Sequence, residues 1–240
     1  MTPTARHYLD DIAQRLTDPA LGQQLAPAVD AIVSAYRDGG LTYIFGTGHS
    51  HLLALDLHYR AGGPAYVVPV LDETLMLHKS ARASGARERE PGIAEQVLAN
   101  YPIGKKDVVI VISNSGVNAV PVEAARHAAN TGAKVIAVTS RAYSQASAKG
   151  RPILADIADI VIDNGLPPGD ALVDLPGTQL KAGAGSTAIG SALLQAIFAE
   201  AAAQLAAEGP PPIYRSANMP GAAENNEGLI EHYKSLNPHL

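Results

Sequence analysis

Two short stretches combine hydroxyl, amide and glycine residues in a way that suits the binding of an anion. They are Gly46-Thr47-Gly48-His49-Ser50 and Ser113-Asn114-Ser115-Gly116-Val117-Asn118. Each follows an apolar run, LTYIF (41–45) or DVVIVIS (107–113), and each precedes a helical pattern. A strand-to-helix turn of this kind offers unpaired backbone N–H groups and the positive end of a helix dipole. Glycine lets the backbone approach a ligand closely, and Ser, Thr and Asn add donors without adding charge. A helix cap within a tight turn would account for either stretch alone. Two of them on neighbouring strands of one sheet point to a shared ligand.

Nucleotide and metal chemistry fit these residues less well. GTGHSH opens like a dinucleotide fingerprint, and Asp72 follows the next apolar run where a ribose-binding acid could stand. The third glycine position, however, is His51, and no GxxxxGK[ST] occurs in the chain. His49, His51 and His58 cluster at the start of one helical segment, and His51 and His58 share a face. Leu55 takes the middle of that face, so no carboxylate completes a ligand set, and a hydrogen-bonding His49 is expected rather than a metal site.

The elements that position these turns are legible as a strand–helix alternation. Short, nearly all-apolar runs recur at 41–45, 65–70, 107–113, 134–139 and 159–163 and read as strands buried on both faces. Helical patterns cover His51–Ala61 and Ala119–Asn130, the second stopped by Thr131-Gly132. This alternation predicts an α/β fold, a three-layer αβα arrangement around a five-stranded parallel sheet. Two helices, about Ala5–Leu16 and Ala26–Tyr36, form an N-terminal extension over 1–38. A long Ala-rich helix near Ser186–Ala207 precedes Pro210-Pro211-Pro212. The tail 210–240 ends in a short helix near Asn226–Leu236. One domain over 1–240 is the simplest organisation. The long connections 72–105 and 141–157 are candidate functional loops.

Composition excludes several classes. Hydrophobic residues make up 47% and charged residues 17% of the 240, as in ordinary globular proteins. The net charge of −5 and the lack of any basic block argue against nucleic acid as a partner. There are no cysteines, hence no disulfide, thiol nucleophile or thiolate metal site. The N-terminus carries no apolar signal-peptide core, and no run is read as reaching the roughly 18 apolar residues of a membrane span, so a cytoplasmic protein without a membrane partner is expected.

GTGHSH, YRAGG (59–63), ISNSGVNAVPVE (112–123) and VIAVTS (135–140) together resemble the sugar isomerase (SIS) domain. The similarity extends to PPGDA (167–171), GSTAIGSALLQAI (185–197) and the SAN…EN segment (216–225). The branch it resembles holds single-domain proteins similar to N-acetylglucosamine-6-phosphate dehydratase. It is related to phosphoheptose isomerase and N-acetylmuramic acid 6-phosphate etherase. The resemblance implies a phosphosugar ligand, no cofactor, and a homo-oligomer, dimer or tetramer, with active sites built across subunits. It places the sugar phosphate on Ser113, Asn114, Ser115, Gly116 and Asn118. Thr47, Gly48, His49 and Ser50 then face the sugar, and Ser186 contacts it from the start of the long helix.

Aldose–ketose isomerisation and elimination both start by removing a proton from the carbon beside a carbonyl, so a carboxylate or histidine base must lie close to that carbon. Asp56, Glu73, His78, Glu123 and Glu224 are the candidates, with Glu73, His78 and Glu224 preferred. Asp56 stands where relatives often carry paired glutamates, and Glu123 is also explained as a dipole partner in the first turns of a helix. Three function classes follow: a sugar-phosphate isomerase or lyase first, then a non-catalytic phosphosugar sensor, then a nucleotide-dependent enzyme. The fold alone does not choose among them.

Overall fold

The computed structural model describes residues 1–240. Five of the apolar runs form one sheet: β1 (Thr42–Gly46), β2 (Val67–Val70), β3 (Val108–Ile112), β4 (Lys134–Thr139) and β5 (Ile160–Asp163). Every residue of β1, β2 and β3 is buried, as expected for β-branched strands covered on both faces. All neighbouring strands run parallel, in the order β2-β1-β3-β4-β5. The strands fall where the sequence places them, shifted by a residue or two at their ends.

This order contains one reversal. The chain leaves β1 to one side to make β2, then returns to the other side of β1 to make β3. The crevice at such a switch point lies beyond the carboxyl ends of β1 and β3. In register Gly46 pairs with Ile112, so the turns that follow these two residues stand side by side.

The crossovers are α3 (His51–Leu57) after β1, α4 (Ala81–Arg87) and α5 (Ile93–Leu98) after β2, α6 (Ala119–Asn130) after β3, and α7 (Arg141–Ala148) after β4. Thus the connections 72–105 and 141–157 carry helices of their own. α3 stops at Leu57 rather than Ala61, because His58 turns extended (φ −76°, ψ 127°) and Tyr59 takes φ 48°. Ahead of the sheet lie α1 (Pro3–Leu16) and α2 (Pro19–Arg37). α2 begins well before the expected Ala26: Asp18 accepts the Ala20 N–H, Pro19 opens the first turn, and Pro27 is carried inside the helix.

After β5 a two-stranded antiparallel hairpin, β6 (Ala171–Asp174) and β7 (Lys181–Ala184), departs from the sequence expectation. Its second strand, Lys-Ala-Gly-Ala, is fully exposed and carries no β-branched residue, so it had no strand signature to read. The hairpin is held to α1 by the Tyr8 hydroxyl, which donates to the Ala184 carbonyl at 2.8 Å.

α8 (Ser186–Ala206) buries Ile189, Gly190, Leu193, Leu194, Ile197, Phe198, Ala201 and Leu205 at helical spacing, against α2 and α3 above all. Contrary to the sequence expectation, this helix is long and apolar enough to cross a membrane by length and composition. In the fold its apolar stripe is a core face. α9 (Ala222–Tyr233) starts before the expected Asn226, at the left-handed Gly221. The segment before it bridges Pro64 through Ile213, and the chain end reaches the β2 side of the sheet, where His239 meets Tyr101.

Candidate functional site

The turn after β3 is locked from within and open toward solvent. Ser113 Oγ accepts the Gly116 N–H at 3.2 Å, and the Gly116 carbonyl accepts the Leu154 N–H at 2.8 Å. Gly116 sits at φ 59°, and a Cβ there would lie 2.7 Å from Ser144 Oγ and 2.8 Å from Thr139 Oγ1. Only glycine meets both demands. The N–H groups of Asn114, Ser115, Val117 and Asn118 have no partner within the protein, nor does the half-buried Ser115 hydroxyl. Asn118 is the N-cap of α6, yet its side chain does not cap that helix. The result is a set of unpaired donors at a helix N-terminus, of the kind that suits an anion.

The turn after β1 is its neighbour. Gly46 lets the backbone fold tightly onto Ser50, since a Cβ would lie 2.6 Å from the Ser50 carbonyl carbon. Ser50 N donates to the Thr47 carbonyl at 3.0 Å. His49 is exposed, whereas the buried His51 bonds through Nδ1 to the Gly48 carbonyl, a structural role. The third glycine of a dinucleotide fingerprint is therefore replaced by a packed side chain. Asp72 caps a 3-10 turn over Glu73–Leu75 by accepting the Thr74 N–H, and so is occupied locally.

A residue absent from the sequence reading joins the two turns. Glu88, at the end of α4, accepts from Thr47 Oγ1 at 2.9 Å through Oε2 and from Asn118 Nδ2 at 2.9 Å through Oε1. Its carbonyl accepts the Val120 N–H at 3.1 Å, and Arg89 lies 3.1 Å from Oε1. The carboxylate is 17% exposed and stands at the ligand edge of the sheet. Nothing in the charged run Ala86-Arg87-Glu88-Arg89-Glu90 marks it out, because such a run reads as a solvated helix end.

Between the carboxyl ends of the strands and the start of α8 a narrow cleft is lined by Ser50, Leu53, Ile112, Asn114, Val138, Asn164, Ser186 and Thr187. It brings together three of the expected site residues: Ser50, Asn114 and Ser186. Asp170 organises the last of them. Held at φ 69°, it accepts the Gly185 and Ser186 N–H groups at 3.2 and 2.8 Å and the Ser186 hydroxyl at 2.6 Å. A carboxylate at the first turn of α8 matches the helix dipole. Ser186 thus donates to Asp170 and keeps its lone pairs for the cleft. Asn164 and Asp170 were not singled out in the sequence, though Asp170 stands within the PPGDA stretch.

The expected acid–base residues lie elsewhere. Glu73 is exposed and paired with Lys79 at 2.7 Å, and that hydrogen-bonded ammonium holds its carboxyl below the usual range. His78 and Glu224 are exposed and make no side-chain hydrogen bond; Glu224 lies in the first turn of α9. Asp56 ties helices together: Oδ2 accepts from Ser191 Oγ at 2.8 Å and Gln195 Nε2 at 2.9 Å on α8, and Oδ1 pairs with Arg60. Glu123 accepts the Gly92 N–H at 2.8 Å, bracing α6 against α5. His58 does not approach a metal-binding set. It meets the chain end, where its Nε2 lies 3.3 Å from the His239 carbonyl oxygen, and burial holds both imidazoles below the usual histidine value.

Fold and cleft define a class: a parallel α/β protein with donor-rich turns at its topological switch point. A family model for the SIS domain matches residues 7–140, just over half of the chain. A Brucella anthropi protein named UPF0309 protein is 50% identical over 242 residues, with both chains covered in full. A UPF0309 protein of Brucella suis biovar 1 is 48% identical over the same length and coverage. Among solved structures, a phosphoheptose isomerase from Francisella tularensis superposes with a TM-score of 0.58 at 19% identity, covering 84% of this chain and 98% of that one. The phosphoheptose isomerase of Neisseria gonorrhoeae gives 0.56 at 16% identity, covering 82% and 95%. The chain belongs to the SIS-domain family.

Proposed function

We propose that this protein binds a sugar or amino-sugar phosphate in the switch-point cleft and converts it by aldose–ketose isomerisation or by elimination. The observation that carries this reading is the Glu88 carboxylate, bonded at once to the turn after β1 and the turn after β3. The phosphate takes the free N–H groups of 114–118 and the Ser115 hydroxyl, with Ser113 and Asn118 shaping the turn. The carbon chain runs past Thr47, Gly48, His49 and Ser50 toward Ser186.

Glu88 Oε2 accepts one hydrogen bond, from Thr47, and keeps lone-pair capacity for a substrate proton. It takes the proton from the carbon beside the carbonyl; that C–H pair becomes a C=C bond and the carbonyl oxygen takes the charge, giving an enediolate. Returning the proton to the former carbonyl carbon, while the hydroxyl proton of the adjacent carbon passes to the enediolate oxygen, completes isomerisation. Expelling a β-hydroxyl, with a proton, completes dehydration. Both reactions are redox-neutral, so the reading calls for no cofactor. Glu73, His78 and Glu224 remain the alternative bases, Glu224 across a subunit contact.

The reading includes a cytoplasmic homo-oligomer, dimer or tetramer. Its support is the apolar surface left open by Leu52, Leu55 and Tyr59, which are 42%, 42% and 53% exposed along α3 and its end. A monodisperse monomer in light scattering at micromolar concentration would remove that part.

The decisive experiment is incubation with hexose, heptose and N-acetylhexosamine phosphates, followed by mass and retention. Loss of one water identifies a dehydratase, and unchanged mass with new retention an isomerase. A thermal shift without any product identifies a sensor, and no shift and no product with the whole panel removes the phosphosugar reading.

A further inference from the structure

Asn114 lines the cleft and its Nδ2 is buried without a protein partner. In a fold that satisfies its buried polar groups, a bare buried amide donor is a notable exception. Its orientation is dictated from two strands away. The Leu166 N–H can only donate, and it lies 3.1 Å from Asn164 Oδ1. That contact fixes which end of the Asn164 amide is oxygen. Asn164 Nδ2 is then the end that faces Asn114, at 2.9 Å from Oδ1. Asn114 in turn must present oxygen to Asn164 and its NH2 group elsewhere. The backbone of Asn164 is itself pinned, its N–H donating to the Thr139 carbonyl at 3.0 Å, and the residue is 6% exposed.

We propose that Asn164 is a positioning residue that sets the polarity of the cleft. The relay Leu166 N–H, Asn164, Asn114 keeps the Asn114 amide turned so that it offers a donor to the ligand. The cleft therefore accepts an oxygen with free lone pairs, on a phosphate or a sugar hydroxyl, and rejects an N–H group at the same point. The ligand half of this statement rests on the phosphosugar reading above. The orientation half does not.

Two variants test it. Asn164→Asp keeps shape and still accepts from Leu166 N–H, but presents oxygen to Asn114, whose amide must turn over and offer its carbonyl to the cleft. Asn164→Leu removes the relay without adding charge. In ligand-free protein, side-chain amide NMR of the wild type shows one Asn164 NH2 proton shifted downfield by its hydrogen bond to Asn114 and no such shift in the Asn114 NH2. In Asn164→Asp at pH 7.5 an Asn114 NH2 proton becomes the hydrogen-bonded one. It reverts on acidification, as the new carboxyl gains a proton and can again donate. A hydrogen-bonded Asn114 NH2 in the wild type overturns the proposal, whatever the ligand.

Calorimetry with fructose 6-phosphate and N-acetylglucosamine 6-phosphate reads the consequence. For any probe the wild type binds, Asn164→Asp weakens affinity by at least tenfold at pH 7.5, and Asn164→Leu weakens it by less. Wild-type affinity in Asn164→Leu, with the protein folded, overturns the ligand half. If the wild type binds neither probe, these two ligands are excluded, and the amide spectra still decide the orientation.

Discussion

Thr47 and Glu88 lie 41 residues apart in the chain, yet the Thr47 hydroxyl donates to the Glu88 carboxylate at 2.9 Å. The bond joins the turn after β1 to the end of α4, and the other oxygen of the same carboxylate takes the Asn118 amide. A half-buried carboxylate thereby stands between two sets of unpaired donors. Oε1 also lies 3.1 Å from the Arg89 guanidinium, whereas Oε2 meets only the Thr47 hydroxyl and keeps lone-pair capacity.

Glu88→Gln is expected to preserve the fold and ligand binding while lowering turnover about 10²–10⁴-fold, the usual range for loss of a general base. The amide is isosteric but cannot take a proton. Turnover, melting temperature and ligand affinity are measured on the same preparation. Wild-type turnover would move the base to Glu73, His78 or Glu224.

Ser115→Ala is expected to weaken phosphosugar binding with little change in stability, because the Ser115 hydroxyl has no partner in the fold. A lost bond to a charged group costs about 1.5–3 kcal/mol, or roughly 10- to 100-fold in affinity. Ser113→Ala also removes the acceptor of the Gly116 N–H, so it lowers stability by about 1 kcal/mol besides. Denaturant melts and titrations of the two variants separate these effects. A full ligand-induced shift retained in the double variant would move the phosphate away from this turn.

Gly116→Ala is expected to cost about 2–4 kcal/mol, combining left-handed backbone strain with overpacking against Ser144 and Thr139. Urea unfolding measures it. A cost below about 0.5 kcal/mol would mean that the turn relaxes, and the donor geometry described above would not survive in solution.

Stability is expected to fall as pH drops through the histidine range. Burial lowers the His58 and His239 values, so the folded state resists protonation that the unfolded chain accepts near the ordinary value of about 6.5. The stabilisation is fully present above that value and is lost as pH falls toward the lowered folded values. Melting temperatures between about pH 7.5 and 5 should decline less steeply in His58→Gln/His239→Gln than in the wild type. An identical slope in both proteins would show that these two histidines do not set the dependence.

Local sequence was enough for the sheet and its turns. Runs such as Val108–Ile112 must be buried on both faces, and a glycine-rich, hydroxyl-bearing turn before a helix is recognisable without tertiary information. Helix ends were less legible. The early start of α2 depends on the Asp18 cap and Pro19. The early stop of α3 depends on the left-handed Tyr59. The hairpin β6–β7 lacked any signature, since Lys181–Ala184 gains its strand form from pairing with Ala171–Asp174 and from Tyr8. The donor-rich turn at 113–118 was thus readable, whereas the carboxylate bonded to it was not. Glu88 sits in a charged run like any solvated helix end, and Asn164 in an ordinary strand exit. What distinguishes them is which partners the fold brings within hydrogen-bond reach. Side-chain chemistry at a strand end is written locally, but which distant groups converge on it is decided only when parallel strands align their carboxyl ends.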